Sequence, residues 1–193
     1  SPFGEKLNYN YWEDYALHTN TKILFDCAAA FSTVSASNFP AVISSHATKG
    51  FSTCEGGFVI SKDKNFIKRV RAFSNFGFNQ SRISRTISLN LKISEICCAY
   101  GLAALNNEDK YLTQYSKQVS TYDRLFLSSN VPVKIFNSPF MRSTYNILIP
   151  SSRFSRDDII LKLLTEYGIE SRDWWGQPLY KYPQFPFSTV EAC

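Results

Sequence analysis

The chain has little of what marks several classes of protein. Its five cysteines show no C-x-x-C pair or other metal-ligand spacing; they are Cys27, Cys54, Cys97, Cys98 and Cys193. Such an odd, unpatterned set is typical of reduced, buried thiols and not of a disulfide framework. No stretch approaches the roughly 18 apolar residues of a membrane span, and the first residues show no signal-peptide pattern. We therefore predict a cytoplasmic protein without a metal centre or membrane partner.

Charged residues are also moderate in number, at 19% of the chain, against 44% hydrophobic residues. The net charge of +5 comes from 21 scattered bases and 16 acids. The densest basic run is Lys68–Arg71, which a solvated helix face explains as well as contact with nucleic acid does. No nucleic-acid partner is predicted. At 193 residues the chain can bury a core in one or two domains.

Helix and strand patterns alternate in the first half of the chain. A helix is predicted over Tyr9–Thr21, strands over Ala41–Ser45 and Gly57–Ser61, and a helix over Lys62–Phe73. The first helix would bury one face, made of Tyr11, Trp12, Tyr15 and Ala16. Strands and helices that alternate over such short lengths of chain favour an α/β fold with a mostly parallel sheet and flanking helices.

The second half predicts a change of architecture. A helix over Ser94–Asn106 is apolar almost all round and should be buried, whereas Glu108–Leu127 is a polar surface helix. A strand over Thr144–Pro150 and a helix from the cap Ser155 to Gly168 follow. We predict part of a large domain at 1–106, a connecting helix at 107–127 and part of a small α+β domain at 128–193.

One loop has an unusual composition for a chain so rich in aromatic residues. In "SSHATKGFSTCEGGFVIS" small residues surround Lys49, and Glu55, Gly56 and Gly57 follow it. An exposed loop lysine is the simplest interpretation. However, the flanking strands are predicted to be buried, and glycines let backbone approach closely. A lysine held in a dry site reacts with an aldehyde through its neutral amine.

An acid in the preceding segment suggests which aldehyde. In the segment "KILFDCAAAF", Asp26 ends the short apolar run Ile23–Phe25. A strand ending there would reach the ligand-binding edge of an α/β sheet. A turn or cap aspartate is equally possible. Pyridoxal phosphate (PLP) needs a lysine for its aldehyde and a carboxylate for its pyridine nitrogen. It also needs hydroxyls for its phosphate, which Ser44 and Ser45 are placed to offer.

Four segments resemble, in order and spacing, the DegT/DnrJ/EryC1/StrS family of PLP-dependent nucleotide-sugar aminotransferases. They are "FDCAAAF", "SSHATKGFSTCEGGFVIS", "NFGF" and "LNLKISEICCAYGLAAL". The S-x-H-x-x-K…E-G-G pattern is the most specific part, and the resemblance weakens after about Leu127. It implies a partial PLP-dependent transferase fold of type I, followed by part of a small C-terminal domain.

The resemblance also implies roles for individual residues. Lys49 would form the Schiff base with PLP and carry the proton between substrate atoms. Asp26 would pair with the pyridine nitrogen, and Ser44 would bind the phosphate. Asn90 matches an asparagine that reaches the phosphate of the neighbouring subunit's cofactor. His46 would shape the site near the lysine, with a packed core histidine as the alternative.

Two further assignments are less direct. Ala29 stands in the cofactor pocket where many members carry a glutamine or histidine against the phenolic oxygen of PLP. The segment "RDWWGQPLY" falls where the family's small domain covers the sugar. Its aromatic residues are candidates for substrate contact, although core packing explains them equally well; they are Trp174, Trp175 and Tyr180.

The function that the resemblance implies is transfer of an amino group from glutamate or glutamine to a keto group of a nucleotide-linked deoxy sugar. The active site would be shared within a homodimer. The family's N-terminal and closing C-terminal parts have no counterpart here, so we expect a fragment that is poorly active alone. Relatives that dehydrate the sugar carry a histidine at the lysine position, and Lys49 argues against that chemistry. A non-catalytic or regulatory PLP-fold protein and a cofactor-free α/β binding module stay open.

Overall fold

The computed structural model describes residues 1–129, 131–136, 144–149, 155–173 and 182. The chain divides into two compact units, Ser1–Leu148 and Ile149–Cys193. The finer division proposed from the sequence, into 1–106, 107–127 and 128–193, stays a prediction. Within the described ranges, no helix combines the length and apolar character needed to cross a bilayer.

The described residues of the first unit form four helices and five short strands after a 3-10 turn at Pro2–Gly4. The helices are α1 (Tyr9–Thr19), α2 (Lys64–Ser74), α3 (Glu95–Leu105) and α4 (Glu108–Ser128). The strands are β1 (Phe25–Asp26), β2 (Ala41–Ser44), β3 (Gly57–Ile60), β4 (Lys134–Phe136) and β5 (Asn146–Leu148). The described part of the second unit contains α5 (Arg156–Tyr167). All the predicted helices are found, whereas β4 was not predicted.

Local capping explains where several helices begin and end. The Asp63 carboxylate accepts hydrogen bonds from the first free N–H groups of α2, and the Ser94 hydroxyl does the same for α3. At the end of α5, Gly168 has φ 64°, a left-handed conformation that costs glycine least. These signals involve neighbouring residues only, which is why the sequence predicts them well.

The main sheet has the order β1-β2-β3. Strands β1 and β2 are parallel, with Asp26 opposite Val42, and β2 and β3 are antiparallel, with Ser44 opposite Gly57. The predicted α/β fold is confirmed, and the described sheet contains one parallel and one antiparallel pair. Because parallel strands end at the same edge, Asp26 and Ser44 both lie at the carboxyl edge of the sheet.

A small apolar core packs around this sheet. Its fully buried members come from β1, β2 and the segment between them; they are Phe25, Cys27, Ala30, Ala41 and Ile43. Partly buried side chains surround them, including Tyr9 at the start of α1, whose ring meets that of Phe25 edge to face at 5.2 Å between centroids. The core therefore lies directly beneath the strand ends that carry Asp26 and Ser44.

The two-stranded sheet β4-β5 is tied to α4 through one tyrosine. The Tyr145 hydroxyl donates to Asp123 Oδ1 at 2.6 Å. The ring of Tyr145 also stacks nearly parallel on Phe126, with 5.8 Å between centroids. These long-range contacts hold a strand pair too short to be stable on its own.

Three burial predictions are wrong. Helix α3 is exposed along most of its length, with Ile96 at 83% exposure and only Gly101 buried. On α1 the aromatic residues of the predicted inner face are exposed, and Ala16 alone is buried. Strand β3 is not buried either, since its residues are exposed or half-buried. Burial was predicted because these elements are rich in apolar residues. An apolar face is buried, however, only where another element packs against it.

The cysteines give a prediction about reactivity. Only Cys27 among the described cysteines is buried; Cys54 and Cys98 are exposed and Cys97 is intermediate, so the prediction of buried thiols is wrong for most of them. Burial raises the pKa of the Cys27 thiol, which lowers its thiolate fraction at any pH below that pKa. We expect iodoacetamide at pH 8 to modify Cys54 at least about 100-fold faster than Cys27.

Peptide mass spectrometry of the native protein over time measures both rates. Denatured protein is the control, because unfolding should make the two thiols react at similar rates. Equal rates in the native protein would contradict the burial of Cys27.

Candidate active site

Lys49 lies in the loop that joins the antiparallel strands β2 and β3. Its backbone N–H donates to the carbonyl of His46 at 2.9 Å, which closes a tight turn. The side chain is half-buried, and its Nζ makes no hydrogen bond or ion pair with any residue that the structure describes. The amine is therefore available to a ligand. The expectation of a dry lysine is not met by the described residues alone, because they leave this loop partly open to solvent.

The hydrogen bonds of His46 define its tautomer. The Thr48 N–H donates to His46 Nδ1 at 3.4 Å, and the Thr48 hydroxyl lies 3.1 Å from the same nitrogen. With Nδ1 accepting, a neutral ring carries its proton on Nε2, which lies 3.4 Å from Glu55 Oε1. His46 is exposed, so the alternative of a packed core histidine is wrong. The ring links the two ends of the lysine loop.

Asp26 is the last residue of β1 and points a carboxylate at the sheet edge. Its Oδ1 accepts a hydrogen bond from the Ala28 N–H at 2.9 Å. No partner for Oδ2 occurs among the described residues. The aspartate is thus a turn-stabilising residue through one oxygen and a free anion through the other. The hydrogen bond confirms the turn interpretation, whereas contact with a ligand stays a prediction.

Ser44, the last residue of β2, and Ser45, which follows it, have different surroundings. Ser44 is half-buried, and its Oγ accepts from the His46 N–H at 3.3 Å, so its own proton stays available for an anion. Ser45 is fully buried, and its Oγ lies 2.6 Å from Thr53 Oγ1. The expectation that Ser45 offers a hydroxyl to a phosphate is therefore wrong. Alternation along the strand turns it inward.

Asn90 lies on a separate segment that is fixed against the end of α2. It forms an isolated antiparallel bridge with Asn75, and its Oδ1 accepts from Lys92 Nζ at 2.7 Å. Lys92 also lies over the Phe76 ring, 4.2 Å from its centroid. An ammonium group is only a donor, so this contact identifies the Asn90 oxygen and leaves the amide N–H groups free for another acceptor.

The remaining predicted site residues divide into two groups. Ala29 is half-buried in the segment after β1, and its carbonyl oxygen lies close to Gly4. The aromatic residues proposed to contact the sugar lie outside the described residues; they are Trp174, Trp175 and Tyr180. Their roles stay predictions.

Thr53 and Phe51 were missed by sequence reasoning. Thr53 is buried at the base of the loop opposite Ser45, and Phe51 is buried and stacks on Phe31 with 4.0 Å between ring centroids. The signal that could have identified Thr53 is a hydroxyl residue at each end of the loop that carries the lysine.

The donor set at the sheet edge suits PLP and not a metal ion. An unpaired amine, a carboxylate with a free oxygen and a hydroxyl with a free proton belong to Lys49, Asp26 and Ser44. These are the groups that an aldehyde, a pyridine nitrogen and a phosphate require. No cluster of three metal-binding side chains occurs in the described part of the chain. The fold is α/β, and these side chains are of the types that a PLP site needs.

Residues 2–192 match the DegT/DnrJ/EryC1/StrS aminotransferase family, and the chain belongs to that family. Its structural neighbours share the PLP-dependent aminotransferase fold of type I. An aminotransferase of Helicobacter pylori involved in the biosynthesis of pseudoaminic acid superposes with a TM-score of 0.84 at 22% identity, over 99% of this chain and 55% of its own. A PLP-dependent aminotransferase structure from Bacillus cereus gives a TM-score of 0.85 at 23% identity, over 96% and 53%.

Curated relatives match over a similar extent. A protein of Mycobacterium tuberculosis is 29% identical over 90% of this chain and 43% of its own length. The dTDP-4-amino-4,6-dideoxy-D-glucose transaminase of Shigella dysenteriae is 34% identical over 57% of this chain and 32% of its own. The chain thus spans less than half the length of these relatives.

Proposed function

We propose that this chain is the lysine-bearing part of a PLP-dependent aminotransferase. The observation that carries the proposal is the unpaired Lys49 amine in the loop directly after β2, the strand that pairs in parallel with β1, which ends at Asp26. When bound, PLP supplies an aldehyde that takes up an amine and a pyridinium ring that accepts an electron pair. The protein supplies the groups that bind PLP, orient it and move protons around it.

Each residue of the site has a distinct task in this proposal. The Lys49 amine would hold the cofactor through its aldehyde and, when free, would carry the proton of the donor's Cα to the aldehyde carbon of the cofactor. The free oxygen of Asp26 keeps the pyridine nitrogen protonated. The Ser44 hydroxyl donates to the phosphate, and His46 holds the loop in its turn through Thr48 and Glu55.

The proposed substrate is a keto sugar linked to a nucleotide, with glutamate or glutamine as amino donor. The names of curated relatives support it, since they include transaminases of dTDP- and UDP-linked amino sugars. We also propose a homodimer, since the family resemblance matches Asn90 to an asparagine that reaches the neighbouring subunit's cofactor phosphate. The exposure of Asn90 and its free amide N–H groups support this. The free cysteines support a cytoplasmic location.

The 193-residue chain by itself is expected to transaminate poorly. It spans about half of the length of the matched structures, and a hydrogen bond to a charged phosphate contributes roughly 1.5–3 kcal/mol wherever the donor lies. Robust transamination by the purified chain would contradict this part of the proposal.

Reductive labelling tests the proposed site. PLP is added to the purified chain, borohydride fixes any bound group, and mass spectrometry locates the phosphopyridoxyl lysine. We expect preferential labelling of Lys49. Label scattered evenly over the lysines would favour a cofactor-free binding module, whereas a label confined to Lys49 without transamination in the full-length protein would favour a regulatory one.

Asp26 gives a second prediction. Asp26→Asn keeps an oxygen for the Ala28 N–H but removes the negative charge facing the pyridine nitrogen. We expect the affinity for PLP to fall about tenfold or more, since a charged hydrogen bond contributes roughly 1.5–3 kcal/mol. Absorbance titration with PLP measures this, and Asp109→Asn, at an exposed acid in the first turn of α4, is the matched control, expected to stay within about twofold. Equal affinities for wild type and Asp26→Asn would remove Asp26 from the site.

A further inference from the structure

The base of the lysine loop is closed by two buried hydroxyl groups. Ser45 is 0% exposed and Thr53 is 2% exposed. The Thr53 N–H donates to the Ser45 carbonyl at 2.9 Å, and the Ser45 N–H donates to the Gly56 carbonyl at 3.0 Å. The side-chain oxygens of Ser45 and Thr53 lie 2.6 Å apart. The loop thus leaves and re-enters the sheet through a point from which water is excluded.

The available acceptors determine which hydroxyl group of this pair donates to the other. Thr53 Oγ1 lies 2.9 Å from the Glu55 carbonyl oxygen and 3.5 Å from the Ser45 carbonyl oxygen. Both oxygens can only accept, and the contact with Glu55 is the shorter. If Thr53 donates there, Ser45 donates to Thr53, and both protons are used. If Thr53 instead donated to Ser45, the Ser45 proton would have no acceptor within the described ranges and no access to water. A buried unpaired donor is costly, so the order is Ser45 to Thr53 to the Glu55 carbonyl.

Two other contacts hold the same loop in place. The Thr53 methyl group occupies the space above Gly101 of α3, where a Cβ atom would lie 2.6 Å from Thr53 Cγ2. Phe51 stacks on Phe31, in the segment that follows Asp26. Thr53 is therefore fixed on one side by helix α3 and on the other by the hydroxyl chain. Lys49 lies in the sequence between Ser45 and Thr53.

We propose that Ser45 and Thr53 are positioning residues for Lys49, acting through a one-way hydroxyl chain that ends on the Glu55 carbonyl. The proposal rests on the proposed function of Lys49. Neither hydroxyl touches the cofactor; they fix the two ends of the turn from which the Lys49 side chain emerges.

The direction of the chain predicts unequal effects of its two members. Thr53→Val keeps the branched shape but leaves the Ser45 proton and the Glu55 carbonyl without partners. Ser45→Ala removes the first donor only, and Thr53 still donates to Glu55. The double variant Ser45→Ala/Thr53→Val removes the orphaned proton, so it should be less perturbed than Thr53→Val alone. Thr53→Ser keeps the hydroxyl and is the conservative control.

Amide hydrogen exchange tests the positioning without any cofactor. The reporters are the N–H groups of Lys49 and Thr53, and Ile67 in α2, which donates to the Asp63 carbonyl, reports global opening. We expect Thr53→Val to speed exchange of both reporters about tenfold relative to Ile67, Ser45→Ala about threefold or less, and Thr53→Ser about twofold or less. The double variant should exchange more slowly than Thr53→Val.

Defined outcomes overturn the proposal. Ser45→Ala matching or exceeding Thr53→Val would reverse the direction of the chain. Equal acceleration at Ile67 would show a general loss of stability and no positioning. If Thr53→Val does not fold, the double variant decides: the proposal requires it to fold, and its failure would overturn the directional chain.

Reductive labelling with PLP supplies the functional measurement. We expect Thr53→Val to lower the rate of phosphopyridoxyl labelling at Lys49 about tenfold, Thr53→Ser to restore it, and exposed Lys162 in α5 to react unchanged. A Lys49 rate unchanged in Thr53→Val would overturn the positioning role. If wild-type Lys49 takes no preferential label while the exchange results hold, the proposed function fails and the hydroxyl chain stands as a property of the loop.

Discussion

Lys49→Arg is expected to abolish the specific phosphopyridoxyl label altogether. Arginine keeps the length and positive charge of the side chain, but its guanidinium stays protonated and cannot condense with an aldehyde. The loop itself should be unaffected, because its turn and its base depend on backbone groups and on His46, Ser45 and Thr53. The loss would thus report the chemistry of the amine and not the fold of the loop.

The measurement is the amount of label per chain and its location, with Lys49→Ala as a second variant. Lys162 is the internal control, since it is exposed in α5 and should take up the same background label in all three proteins. Strong label that persists elsewhere in Lys49→Arg would place the reactive amine at another lysine. In the full-length protein, either Lys49 variant should also lose transamination by several orders of magnitude.

Gly57→Ala is expected to destabilise the protein by about 3 kcal/mol. A Cβ atom at this position would lie 2.6 Å from the carbonyl oxygen of Ile43, on the paired strand β2. Backbone atoms of a paired strand cannot move aside as a flexible side chain can. The change would force β2 and β3 apart at the point where the lysine loop begins and ends.

Urea denaturation monitored by circular dichroism measures the free energy of unfolding. Ala47→Ser, an exposed substitution in the same loop, is the matched control and should stay within about 0.5 kcal/mol of wild type. We also expect Gly57→Ala to reduce labelling of Lys49 even where the protein remains folded. A Gly57→Ala protein as stable as the control would mean that the two strands are further apart than described.

Much of the candidate site could be predicted before the fold. Lys49, Asp26 and Ser44 were proposed from residue types, because PLP chemistry demands an amine, a carboxylate and a hydroxyl, and the family resemblance implies their individual roles, which stay predictions. The structure agrees in placing Asp26 and Ser44 at one sheet edge, which follows from the parallel pairing of β1 and β2. Ser45 could not be assigned correctly, because two adjacent serines look alike until the strand turns one of them inward.

The sequence by itself determined the helices, their caps and the residue types of the reactive loop. Asp63, Ser94 and Gly168 act on backbone groups only a few residues away, so their effects can be inferred along the chain.

Only the tertiary structure decided which apolar faces are covered and which hydroxyls meet. Helix α3 is apolar yet exposed, because burial depends on a second element and not on composition. Thr53 meets Ser45 and the backbone of Gly101 through strand pairing and packing between residues distant in sequence. Contacts of that kind depend on how the whole chain folds, so they cannot be inferred from the spacing of residues along the sequence.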